Sequence, residues 1–110
     1  MYKVYGAFYP VEKELFTNIL NIGNEAMPAQ DEAWLFFEKD MLRFSFEGLY
    51  FPQDDILLAL ESRLSAESSG KLDILDMEQW KLYRHVWKNG NFEKIERNLN
   101  DILEPAANFK

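Results

Sequence analysis

Few side chains in this sequence have the types and spacing that catalysis requires. Nucleophilic catalysis needs an activated Ser, Thr, Cys or Lys beside a base. The chain has no Cys, and its one threonine, Thr17, falls in a predicted helix. The serines are Ser45 and those of 62–69, and none stands in a Gly-x-Ser-x-Gly turn. The only histidine, His85, falls on a predicted strand, where a packed or surface imidazole explains it better than a catalytic or metal-binding one.

Carboxylates are plentiful but form no recognised ligand pattern. Asp54 and Asp55 fall in the first turn of a predicted helix, where the helix dipole stabilises them. Asp73, Asp76 and Glu78 are spaced so that they could hold a hard cation, but they lack the calcium-loop pattern, and a solvated acidic loop explains them better. The glycines are scattered singly, so no phosphate-binding loop is expected. The sequence predicts no metal and no cofactor, and it favours binding over catalysis.

The charge is negative and concentrated in the middle of the chain. The formal net charge is −7, and residues 25–80 alone carry −9. This balance argues against a nucleic-acid-binding surface and against a polybasic membrane anchor. No apolar run approaches the length of a spanning helix, and Met1 is followed by no basic-then-apolar leader. The absence of Cys suits a reducing compartment, so we expect a cytoplasmic protein.

Two similar stretches indicate where helices follow strands. Residues 6–10 and 48–52 each read Gly, any residue, two aromatics, Pro, and a chance similarity is the alternative to a repeat. Proline is favoured at the first position of a helix. We therefore expect helices over 10–22 and 52–66, with Gly23 as the residue that ends the first.

Period-two alternation predicts the strands. These expected strands cover 2–9, 33–39, 42–47 and 72–75, with a tight connection at Lys39-Asp40. Asn89-Gly90 predicts a hairpin between 80–88 and 91–99. Its register would pair Trp87 with Phe92, Arg84 with Ile95, Tyr83 with Glu96 and Trp80 with Leu99. The alternative is a helix over 91–103, because Phe92, Ile95 and Leu99 also share a helical face; residues 100–103 form a helical turn in either case.

This order of elements predicts a single α+β domain over residues 1–110. We expect a ferredoxin-like two-layer sandwich (βαββαβ) with an antiparallel sheet, plus a C-terminal β-hairpin. Both helices would cover one face of the sheet. Tyr5, Trp34 and Phe36 would then share the uncovered face, with no Lys/Arg framework around them. Either these aromatics are core residues, or the C-terminal segment or a partner covers them.

The sequence therefore predicts a non-enzymatic binding or inhibitor protein. Immunity proteins and antitoxins exemplify this class, by analogy of size and charge alone. Its acidic, aromatic-rich surface would meet a basic protein, such as a nuclease-type toxin. The candidate partner-binding residues are Asp31, Glu32, Trp34, Glu38, Asp40, Asp54, Asp55, Asp73, Asp76, Glu78 and Trp80. One alternative is a homodimer, either a binding protein or an enzyme, that encloses a small ligand near Tyr83, Arg84 or His85; another is a structural assembly subunit.

Overall fold

The computed structural model describes residues 1–30 and 32–103 as an α+β protein with six strands and three helices. The strands are β1 (Tyr2–Tyr9), β2 (Leu35–Glu38), β3 (Met41–Gly48), β4 (Ser69–Asp76), β5 (Lys81–Lys88) and β6 (Asn91–Asn98). The helices are α1 (Lys13–Ala26), α2 (Gln53–Arg63) and α3 (Leu99–Leu103). All strands form one antiparallel sheet in the order β2-β3-β1-β4-β5-β6. The predicted α+β class is confirmed. The strand order differs from that of the predicted ferredoxin-like sandwich, because β5 and β6 extend the sheet beyond β4.

One face of the sheet is apolar and packs against α1 and α2. The register places Val4 between Phe46 and Ile74, and these three side chains are almost fully buried. The helices add Leu15, Ile19, Ile56 and Leu60 to the same core cluster. We term this side of the sheet the helix face. The opposite side, on which Tyr5 lies between Ser45 and Asp73, is termed the open face.

Helix α1 differs from its prediction at both ends. It begins at Lys13, and Pro10 lies outside it, because the chain after Pro10 first contacts the sheet: Val11 N donates to the carbonyl oxygen of Asp40 at 2.8 Å. The helix then continues through Gly23 to Ala26. The prediction that Gly23 ends the helix is therefore wrong, and this glycine is an interior helical residue.

Helix α2 is shorter than predicted. Pro52 is the residue before the helix, and its carbonyl accepts the N–H of Ile56 at 3.1 Å. The helix ends at Arg63 rather than at residue 66 because a serine turn follows it. In that turn Ser68 Oγ donates to the carbonyl oxygen of Pro10 at 2.6 Å and lies 3.0 Å from Ser65 Oγ. This buried hydroxyl joins the loops that precede α1 and follow α2.

The C-terminal hairpin is confirmed, and the helical alternative for residues 91–98 is wrong. Asn89 and Gly90 have φ values of 55° and 80°, as a type I′ turn requires. Three predicted pairs are present: Trp87 with Phe92, Arg84 with Ile95 and Tyr83 with Glu96. The fourth pair lies beyond the ladder, where Leu99 N donates to the carbonyl oxygen of Trp80 at 3.0 Å. A helical turn follows at Leu99–Leu103, close to its expected place.

Candidate functional site

Asp73 forms an ion pair within the open face. Arg84 Nε and Nη2 donate to its two carboxylate oxygens at 2.7 and 2.9 Å, and Lys71 Nζ lies 3.8 Å from Oδ2. The hydrogen bond to Asp73 is the main cause that raises the pKa of Arg84 above its ordinary value. Such bidentate pairs are strong. The charge of Asp73 is therefore compensated within the chain.

Asp76 stabilises the turn between β4 and β5. Asp76 is only 8% exposed. Oδ1 accepts the backbone N–H groups of Glu78 and Gln79, both at 3.1 Å. This is the local turn in which an aspartate bonds to the backbone that follows it. Asp76 therefore has a structural role, and the structure does not present it to a partner.

The remaining predicted acids lie at two opposite ends of the sheet. Glu38 and Asp40 lie at the β2–β3 turn, beside the end of β1. At the other end, where β1 begins, the exposed acids are Glu32, Asp54, Asp55 and Glu78. Asp31 falls outside the described residues. The structure therefore does not bring the predicted acids into one surface, and any single interface must use one end.

The two tryptophans of the predicted surface have different environments. Trp34 is 6% exposed, and its ring packs against Phe44, Phe46 and Phe51 with centroids 6.3 Å apart. Its predicted place on the open face beside Tyr5 is wrong, because Trp34 precedes β2 and its indole packs into the helix-side core. Trp80 is 37% exposed, and its Nε1 donates to Asn100 Oδ1 at 2.7 Å.

The open face carries more cations than acids. Register places Lys3, Arg43, Lys71, Arg84, Lys88 and Arg97 on this face, together with Glu38, Glu47, Asp73 and Glu93. Several of these are paired: Lys3 Nζ lies 3.3 Å from a Glu47 oxygen. Arg43 lies over the Phe36 ring, 4.3 Å from its centroid. The expectation that no Lys/Arg framework surrounds the exposed aromatics is therefore wrong, although the ion pairs neutralise much of this charge.

Exposed apolar residues accompany the acids at the end where β1 begins. Leu49 is 86% exposed and Tyr50 is 55% exposed in the loop between β3 and α2. A cavity of about 320 Å³ is lined by Tyr2 and by the continuous segment 50–55. A neighbouring cavity is lined by Asp54 of α2 and by Gln79 of the β4–β5 turn. We define the acidic end as Leu49, Tyr50, Asp54, Asp55 and Glu78.

The carboxylates of the acidic end are not compensated as Asp73 is. Within the described part of the chain, no Lys or Arg nitrogen lies within 4.0 Å of the carboxylates of Asp54, Asp55 or Glu78. Sequence reasoning identified these acids but missed Leu49 and Tyr50, which lie in the stretch 48–52 between a predicted strand and a predicted helix. The available signal was the run of three apolar residues, 49–51, between Gly48 and Pro52. The acidic end thus combines free negative charge with exposed apolar area.

His85 lies on the helix face rather than beside the open-face aromatics. Its register neighbours are Leu72 on β4 and Lys94 on β6, and Tyr83 shares this face. Burial lowers the pKa of His85 below its ordinary value of 6.5; Lys94 lowers it further, and Asp73 opposes the shift. Arg84 is the one member of the predicted ligand-lining set that lies on the open face. A ligand between two open faces would therefore not contact His85 or Tyr83.

Protonation of His85 is expected to destabilise the fold. Because its pKa is lower in the folded protein, the unfolded chain binds the proton more readily, and stability falls as the pH drops below about 6.5. Urea unfolding between about pH 7.5 and about pH 5 measures this loss. The variant His85→Gln should lose this part of the pH dependence.

An NMR titration of the single histidine measures the lowered pKa of His85 directly. We expect its midpoint to lie below 6.5 and to rise in Lys94→Met, which removes the neighbouring positive charge. A midpoint at or above 6.5 in the unmodified protein would show that the imidazole is solvated rather than buried.

A larger cavity lies at the sheet edge formed by β2. Its volume is about 670 Å³, and its lining includes Tyr9, Phe36, Met41 and Arg43. Among the described residues, no group of three or more His, Asp or Glu side chains is arranged to hold a metal ion. No helix in this part of the chain has the length and apolar character needed to span a bilayer.

Comparison of the chain with protein-family models, with curated proteins and with solved structures found no significant match.

Proposed function

We propose that this protein is a non-enzymatic binding protein whose acidic end docks on a basic protein. The role is that of an inhibitor, as in immunity proteins and antitoxins, with a nuclease-type toxin as one fitting partner. The absence of cysteine favours action in the reducing cytoplasm. We also propose that β1–β4 with α1 and α2 form a ferredoxin-like unit that the β5–β6 hairpin extends.

The observation that carries this proposal is the juxtaposition of uncompensated acids with exposed apolar side chains. Leu49 and Tyr50 are two of the three most exposed large apolar residues of the described chain; the third is Leu58, on α2. The first two precede Asp54 and Asp55 on one loop-to-helix segment. Aromatic side chains in the centre of an interface supply affinity, whereas surrounding charges steer the encounter and select the partner. The acidic end offers both.

Other parts of the molecule are less suited to this role. The carboxylate of Asp73 is paired with Arg84, and that of Asp76 is bonded to its own turn. The open face has aromatic residues, but its carboxylates lie among cations, as Lys3 with Glu47 illustrates. A face that is already charge-compensated gains little from an approaching cation. A basic partner should therefore prefer the acidic end.

Charge removal at the acidic end tests the proposal. The double variant Asp54→Asn with Asp55→Asn keeps polar groups in the first turn of α2. The matched control, Glu61→Gln with Glu67→Gln, removes two exposed acids elsewhere and gives the same net charge. Both proteins and the unmodified one are used to capture cationic proteins from extracts of the native host. Each retained protein is then purified and its dissociation constant measured.

We expect the acidic-end variant to weaken binding about tenfold and the control to change it less than about twofold. An equal loss in both variants would mean that only net charge matters. If no cationic protein binds the unmodified chain, the proposal is wrong. Thermal unfolding of both variants establishes that the fold is intact.

A further inference from the structure

Strand β2 lies at one edge of the sheet, and among residues 1–30 and 32–103 no strand pairs with its outer side. Ser45 N donates to the carbonyl oxygen of Trp34 at 2.8 Å. This bond identifies which residues of β2 form backbone hydrogen bonds with β3. Lys39 and Asp40 have φ values of 51° and 63°, consistent with a two-residue turn closed by the pair of residues 38 and 41. In an antiparallel ladder the bonded pairs alternate. Phe36 therefore bonds to β3, whereas the N–H and C=O groups of Leu35 and Phe37 point away from it.

The two edges of the sheet differ in charge. The other edge strand, β6, carries Glu93, Lys94, Glu96 and Arg97 along its length. Charged side chains on an edge strand oppose pairing with another chain. Strand β2 reads Leu-Phe-Phe-Glu and has one charge at its end. Leu35 and Phe37 both contribute to the lining of the cavity of about 670 Å³ along this edge, and Phe37 is only partly buried.

We propose that β2 pairs antiparallel with β2 of a second copy of this chain, so that two sheets become one. Only one register uses all outward groups of both strands: Leu35 of each copy lies opposite Phe37 of the other. That arrangement makes four backbone hydrogen bonds. It places Phe36 on the two-fold axis, opposite Phe36 of the second copy, on the open face. The self-complementary edge thus selects an identical partner over an arbitrary strand.

The side chains around the axis are compatible with this register. Phe36 is partly exposed, and Arg43 lies over its ring. Two facing phenylalanines form a favourable cross-strand pair. The cavities of the two copies, each with Met41 and Tyr9 in its lining, would lie on either side of the axis. Because the contact is small, we expect a dimer that forms above about 10 µM rather than an obligate one.

A cysteine scan tests both the dimer and its register, because the chain contains no native cysteine. The variant Phe36→Cys places two thiols in a non-hydrogen-bonded pair, where Cα atoms are about 4.5 Å apart. This separation falls within the range of about 4.4–6.8 Å that disulfides require. Glu38→Cys is the matched control on the same strand and face, since its two copies would lie about 13 Å apart. Ile95→Cys is a control on the opposite edge.

We expect the disulfide-linked fraction of Phe36→Cys in a glutathione buffer to exceed that of either control by about tenfold. Sedimentation of the unmodified protein should show a monomer–dimer equilibrium, and Phe36→Lys should shift it to monomer by placing like charges on the axis. Equal cross-linking in the three cysteine variants would overturn the proposal. A monomer at every concentration up to about 1 mM would overturn it as well.

Discussion

Replacement of Trp34 by alanine is expected to lower the free energy of unfolding by about 3–5 kcal/mol. The indole is 6% exposed and packs against Phe44, Phe46 and Phe51. Removing it leaves a cavity that these rings cannot fill without moving. Urea unfolding followed by far-UV circular dichroism measures the loss, which is a large part of the stability of a domain of this size.

Trp80→Ala is the matched control for this prediction. Trp80 is 37% exposed, and its indole makes one hydrogen bond, to Asn100. We expect a loss of about 1 kcal/mol. If the two variants lost equal stability, the burial of Trp34 in the helix-side core would be contradicted. The comparison also separates a packing role of Trp34 from the contact role that the sequence predicted for it.

Gly23→Ala is expected to destabilise the protein by about 1–3 kcal/mol, although alanine normally favours a helix. A Cβ atom at this position would overlap Trp34 Cζ2 and lie 2.8 Å from Cη2. In an exposed helix the same change would stabilise by about 1 kcal/mol. Here the added methyl group would overlap the indole ring, so that either the buried ring or the helix must shift.

The sign of this effect should depend on residue 34. In a Trp34→Leu background the steric conflict is removed, so Gly23→Ala should then be neutral or stabilising by up to about 1 kcal/mol. A double-mutant cycle in urea measures the coupling. Additive effects in the cycle would mean that Gly23 and Trp34 are not in contact.

The sequence was sufficient for elements whose signals are local. Alternation of apolar and polar residues located β1 and β3, and Asn89-Gly90 located the last hairpin together with its register. Helix ends were less predictable, because tertiary contacts decided them. Gly23 follows an apolar stripe and so resembled a helix terminator, but α1 extends past it to Ala26.

The candidate site was harder to predict because it depends on which face of the sheet each charged side chain occupies. The acidic middle of the chain suggested that no Lys/Arg framework surrounds the aromatics of the uncovered face, yet alternation along the strands turns Arg43, Lys71 and Arg84 toward that face. Their convergence follows from the order of the strands, because β1 lies between β3 and the β4–β5 hairpin and so brings them together. Trp34 shows the same limit, because its packing against Gly23 joins a helix to the residue preceding a strand. No local pattern reports such a contact.

The three tryptophans lie in contrasting environments, so their intrinsic fluorescence can report on different parts of this protein. Trp34 and Trp87 are buried, and Trp87 Nε1 donates to the carbonyl oxygen of Ser65 at 2.9 Å. Their fluorescence therefore reports the integrity of the core. Trp80 follows the turn that carries Glu78, so an aqueous quencher such as iodide reaches it first. Docking at that end of the molecule can thus be measured through the fluorescence of Trp80, without any attached dye.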